Sequence, residues 1–68
     1  MFKISLEAAR VNAGLSQKEV AEKLKVSNKT ISNWENGKTF PSVEKIEKIC
    51  YLYGISFDNL NFLPISSL

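Results

Sequence analysis

Sixty-eight residues, 44% of them hydrophobic, with a net charge of +2, describe one small domain with a single marginal core. With no histidine and one cysteine, the chain has no His-dependent triad, cannot close an internal disulfide, and offers almost nothing to zinc, so no metal, cofactor or small-molecule substrate is expected. No apolar run approaches bilayer-spanning length and the N-terminus lacks a signal-peptide apolar region, so a cytoplasmic, non-membrane protein is expected.

Residues 1–4 read as a lead-in. Ser5 is placed to cap a first helix over residues 6–13, stopped by Gly14, with Leu6, Ala9 and Ala13 as its inner stripe. Arg10 flanks that stripe; by itself it reads as a surface arginine. In Leu15-Ser16-Gln17-Lys18-Glu19, Ser16 can accept from the backbone three residues on while Glu19 reaches back to the Ser16 N–H, a capping box. Leu15 and Val20 fit a hydrophobic staple around it, and Val20, Ala21 and Leu24 give the second helix its buried face. After the turn Lys25-Val26, Ser27 caps a third helix in which Ile31 and Trp34 point inward, Val26 and Ile31 form a second staple, and Gly37 supplies the left-handed stop.

The opposite face of this third helix holds Asn28, Lys29, Ser32, Asn33 and Asn36, and no carboxylate. A solvated helix face is the bland reading. Solvated faces usually mix Glu with Lys, however, as this chain does after Ser42. An acid-free array suits DNA better, because Asn pairs bidentately with adenine and Lys donates to guanine in the major groove. Between Gly14 and Phe40 there are five lysines and three glutamates, and Glu19 is committed to capping while Glu35 is expected to turn inward, so the outward balance is basic.

Lys38-Thr39-Phe40-Pro41 connects onward, with Phe40 either packed under this loop or left exposed. Ser42 caps a fourth helix with Val43, Ile46, Ile49, Cys50 and Tyr53 as its core stripe and Glu44, Lys45, Glu47 and Lys48 on the wet face. Cys50 reads as inert packing. Gly54 ends the helix, and Ile55-Ser56 opens a fifth, with Phe57 and Leu60 inward and Ile55 stapled to Leu60. The core is thus 5–61, followed by an apolar tail, 62–68. That tail either folds back on its own core or, with Tyr51 and Leu52, forms a dimer surface.

Leu15-Ser16-Gln17, Ala21, Val26-Ser27 and the string Ile31-Ser32-Asn33-Trp34-Glu35-Asn36-Gly37-Lys38 resemble the Xre/phage-repressor (Cro/CI-type) helix-turn-helix family, over about residues 6–60. The resemblance implies an all-α, compact five-helix lambda-repressor-like DNA-binding domain with the helix-turn-helix in helices 2 and 3. It implies a sequence-specific, double-stranded DNA-binding regulator of bacterial or phage type and not an enzyme: a homodimeric repressor reading a pseudo-palindromic operator through the major groove. Carried onto this chain, it makes Asn28, Lys29, Ser32 and Asn33 base readers, and Gln17, Lys25, Ser27, Asn36 and Lys38 phosphate contacts. It turns Arg10 into the partner of Glu35 in a partly buried ion pair, and places Tyr51, Leu52, Phe62, Leu63 and Ile65 at a dimer interface. One departure stands out. Lys25 occupies a turn position where family members usually carry glycine; a left-handed residue there costs about 1 kcal/mol without glycine's freedom, so Lys25 either carries that strain or marks a slightly different turn. The alternative to this reading is an antitoxin-like module whose main partner is a protein.

Overall fold

Four serines start four helices. In the computed structural model, which describes residues 3–62, these are α1 (Leu6–Asn12), α2 (Gln17–Leu24), α3 (Asn28–Glu35) and α4 (Val43–Tyr53). Ser5, Ser16, Ser27 and Ser42 each sit in extended backbone, and each Oγ accepts from the backbone N–H three residues on: Ala8 at 3.1 Å, Glu19 at 3.1 Å, Thr30 at 3.0 Å and Lys45 at 3.3 Å. Each cap satisfies a backbone donor that the helix itself leaves unpaired, a contribution of about 1 kcal/mol. At Ser16 the box is complete, because the Ser16 N–H donates to Glu19 Oε1 at 2.8 Å.

The four helices also end alike. A residue in left-handed or near-left-handed backbone follows each one, and the next N–H bonds back to a carbonyl of the last turn: Leu15 to Arg10, Val26 to Ala21, Lys38 to Asn33 and Ile55 to Cys50. This is the Schellman ending. Gly14, Gly37 and Gly54 provide it three times. Lys25, at φ 59° and ψ 46°, provides it once, so of the two alternatives left by the sequence the lysine takes the left-handed one and the turn keeps its ordinary geometry. Lys25→Gly is expected to relieve about 1 kcal/mol of backbone strain and raise the thermal midpoint by about 4–8 °C for a domain of this size. An unchanged midpoint in a calorimeter would show that the lysine sits there without strain.

Val20, Leu24, Ile31 and Ile49 are the most completely buried side chains, joined by Leu6, Ala9, Ala21 and Trp34. Ala21 is buried on α2, which packs on α3. The core is closed by a short parallel pairing of β1 (Ile4–Ser5) with β2 (Leu60–Asn61), Ile4 opposite Leu60.

Here the sequence expectations need correction. Four helices form among the described residues, not five. The chain after Gly54 makes a single 3-10 turn, Phe57–Asn59, and then becomes extended as β2. Ser56 does not cap it: its hydroxyl donates to Asn59 Oδ1 at 2.7 Å. Leu60 is buried as expected, but through strand pairing with Ile4; Phe57, left on the outer side of the turn, is 53% exposed. Ile4 therefore belongs to a strand and not to a lead-in. At the end of α1, Ala13 is an exposed cap residue and not part of the inner stripe. Val43, expected in the core, is 74% exposed because it occupies the first turn of α4, one turn before the stripe reaches the core at Ile46. Phe40 is exposed, with its ring 4.8 Å from that of Phe62.

Candidate nucleic-acid interface

The candidate surface is built on α2 and α3, joined by the turn at Lys25. Ile31 and Trp34 anchor α3 in the core, which fixes the rotation of the helix and turns the other side outward. On that side Asn28, Lys29 and Asn36 are exposed, and Ser32 and Asn33 are half-buried. Asn36 Nδ2 donates to Ser32 Oγ at 3.3 Å, and the Ser27 hydroxyl shares a 2.9 Å bond with that of Thr30. Thr30, half-buried beside the N-terminus of α3, was not singled out from the sequence; its hydroxyl bond to the cap serine was the missing signal.

α3 has a single carboxylate, on Glu35, and it faces inward with its side chain 5% exposed. Its Oε2 accepts from Arg10 Nε at 2.7 Å, and its Oε1 accepts from Arg10 Nη2 at 3.4 Å and from Gln17 Nε2 at 2.9 Å. Arg10 Nη1 donates in turn to the Leu15 carbonyl at 2.9 Å. One guanidinium and one carboxylate thus tie α1, the α1–α2 loop, the first residue of α2 and the last residue of α3. Hydrogen bonding to Glu35 raises the Arg10 pKa further, against the opposing effect of burial. The ion pair implied by the resemblance is present, and it also neutralises the only acid on α3.

The residues expected at phosphates differ in exposure. Gln17 is half-buried and bonded to Glu35, while Lys25, Ser27, Asn36 and Lys38 are exposed. In the loop after α3, the N–H groups of Lys38 and Thr39 both bond to the Asn33 carbonyl, at 2.9 and 3.4 Å, so they close the helix and are not presented to solvent as free donors. Glu19, close by in α2, has its pKa lowered by the Ser16 backbone N–H and hydroxyl it caps against.

Tyr53, half-buried, is pushed up to about 12 from 10.0, chiefly by burial and then by the charge of Glu35. Because the folded pKa lies above the unfolded one, the stabilisation is whole below pH 10 and is lost as the pH rises toward 12. Tyr53→Phe is therefore expected to flatten the fall in melting temperature across that alkaline window; an undiminished fall would assign it to other groups. Burial also raises the thiol pKa of Cys50, in keeping with inert packing.

Of the residues placed at a dimer interface, Tyr51 is 88% exposed, Leu52 is half-buried against the core, and Phe62 packs its ring 5.9 Å from Phe57 as well as on Phe40. Leu63 and Ile65 lie outside the described residues. A groove the sequence did not suggest, of about 480 Å³, is lined by Val43, Ile46, Glu47, Cys50 and Phe57. Among the described residues no helix is long and apolar enough to cross a membrane.

Comparison with known proteins agrees with this geometry. A helix-turn-helix family profile matches residues 6–60. The chain is 42% identical over 55 residues to the HTH-type transcriptional regulator ImmR of Bacillus subtilis (strain 168), covering 81% of this chain and 43% of that protein. It is 36% identical over 59 residues to the HTH-type transcriptional activator BcrR of Enterococcus faecalis, covering 87% and 29%, respectively. It is 33% identical over 60 residues to the cryptic phage CTXphi transcriptional repressor RstR of Vibrio cholerae, covering 88% and 54%. The chain thus spans between 29% and 54% of the lengths of these relatives. No solved structure matches it. With a capped α2, a Schellman turn at Lys25, a core-anchored α3 and the matched profile over 6–60, the chain belongs to the Xre/phage-repressor (Cro/CI-type) helix-turn-helix family.

Proposed function

We propose that this domain binds double-stranded DNA in a sequence-specific way as the reading part of a transcriptional regulator, acting as a dimeric repressor. The observation that carries the reading is the outer face of α3: Asn28, Lys29, Ser32 and Asn33 are turned out together, and the one carboxylate of the helix is turned in and neutralised by Arg10. In this reading α3 enters the major groove with its N-terminal residues foremost, and these four side chains meet base edges. Gln17, Lys25, Ser27, Asn36 and Lys38 hold phosphates on either side and set the register without reading sequence.

An eight-residue helix reaches only a few base pairs, so useful specificity asks for two copies. The exposed Val43 and Phe57, the groove between them and the neighbouring pair Phe40 and Phe62 support a second copy of this chain as partner. Two recognition helices would then sit about 34–36 Å apart, one turn of DNA, over a pseudo-palindrome. Repression would follow from occupying a promoter. The same contacts serve an activator when the site lies where polymerase is touched instead of excluded.

The test is selection from random duplexes with the purified chain at moderate salt. An enriched inverted repeat with half-sites about one turn apart supports the reading. Weak, purely salt-dependent binding without enrichment would instead favour the antitoxin-like alternative, in which the apolar groove beside α4 receives a different protein.

A further inference from the structure

The contact between Gln17 and Glu35 joins two things that the reading above keeps apart, the phosphate clamp and the end of the recognition helix. Glu35 Oε1 accepts from Gln17 Nε2 at 2.9 Å while Oε2 holds Arg10 Nε at 2.7 Å. A carboxylate can only accept hydrogen bonds. It therefore dictates which way the Gln17 carboxamide faces: nitrogen toward Glu35, carbonyl oxygen away. The amide nitrogen carries two hydrogens, and Glu35 takes one. The other remains to be donated. Gln17 is the first residue of α2, where the backbone N–H groups of the first turn lack intrahelical partners and favour an anion. A carboxylate this close to a DNA phosphate would ordinarily repel it, but Arg10 cancels its charge.

We propose that Glu35 is a positioning residue for DNA-backbone binding: it holds the Gln17 carboxamide with its second N–H presented to a phosphate at the start of α2. The inference rests on the reading of Gln17 as a phosphate contact. Its physical effect is preorganisation, because a glutamine already fixed in the free protein loses less rotamer freedom on binding. It also makes the last residue of α3 set the clamp on α2, so that the distance between base readers and clamp is governed by one side chain.

The test is a double-mutant cycle on DNA affinity with wild type, Gln17→Ala, Glu35→Gln and the double variant. Binding to a fluorescein-labelled duplex of mixed sequence is read by anisotropy at low salt, in the cold, where circular dichroism shows each chain folded. In Glu35→Gln, Arg10 claims the new amide oxygen, the new amide nitrogen faces Gln17, and the Gln17 carboxamide must turn its oxygen toward it. Gln17→Ala is expected to weaken binding about tenfold. Glu35→Gln should weaken the wild type by a similar factor and the Gln17→Ala chain hardly at all. Equal losses in both backgrounds would mean that Glu35 acts independently of Gln17, and would overturn the proposal. Wild type and Gln17→Ala binding equally well would remove the clamp itself, and a wild type that binds no duplex would remove the DNA-binding reading and the inference with it.

A second measurement needs no variant. In the free protein one Nε2 proton of Gln17 should be displaced from its free-glutamine shift and protected from exchange, and added duplex should shift the other. Two protons with the shifts and the exchange rates of an unstructured glutamine, neither moved by duplex, would equally overturn the proposal.

Discussion

Glu35→Ala is expected to destabilise the domain by about 3–5 kcal/mol, because it leaves the Arg10 guanidinium desolvated and without its counter-charge. Arg10 is 9% exposed, and its remaining partner is the Leu15 carbonyl. A helical domain this small has little to spare: total stabilities run at about 5–15 kcal/mol and small cores fall at the low end. The thermal midpoint should therefore drop by about 12 °C or more. The pair itself need not be strongly stabilising. Replacing both partners with apolar residues of similar volume often leaves a protein as stable as before. Arg10→Met with Glu35→Leu is accordingly expected to recover most of the loss, which separates an orphaned charge from a lost scaffold. A midpoint within a degree or two of wild type for Glu35→Ala would show that the network at this corner contributes nothing.

The second large effect is on DNA. If Lys29 donates to guanine, Lys29→Ala should weaken binding to the selected site by about 1–3 kcal/mol and relax the preference at one position only. That is about fivefold to more than a hundredfold in Kd. Lys38→Ala, by contrast, should weaken all sequences alike and reduce the salt slope by about one. The two lysines are both exposed, one on the first turn of α3 and the other beyond its end. If both variants lost affinity uniformly, the division into readers and clamps would have to be redrawn.

Much of this fold was legible because its punctuation is local. A serine before each helix and glycine after three of them act within a few residues, and every one of those caps and stops forms as the sequence indicates. The burial of Ile31 and Trp34 follows from helical spacing, and with it the outward face of α3. What escaped depends on surfaces far away in the chain. Whether Phe57 starts a helix turns on whether Ile4 waits to pair with Leu60, and nothing near residue 57 records that. Val43 has the right spacing for the core but stands at the very start of α4, 74% exposed. The Arg10–Glu35 pair, 25 residues apart in sequence, came only from resemblance, since an arginine beside an apolar stripe ordinarily stays at the surface. The engagement of Gln17 by Glu35 was invisible for the same reason.

The pairing of β1 with β2 has a consequence for how the domain assembles. Parallel neighbours cannot be joined by a tight turn, and here all four helices lie in the connection between Ile4 and Leu60. The helices gain their contacts over short loops and can form early, whereas this pairing must close nearly the whole chain, an entropic demand that grows with loop length. The pairing is thus expected to close last. Weakening it should leave the rate of folding almost untouched and show itself as faster unfolding, so that the lifetime of the folded domain should depend on Ile4, Ser5, Leu60 and Asn61, none of which lies on α2 or α3.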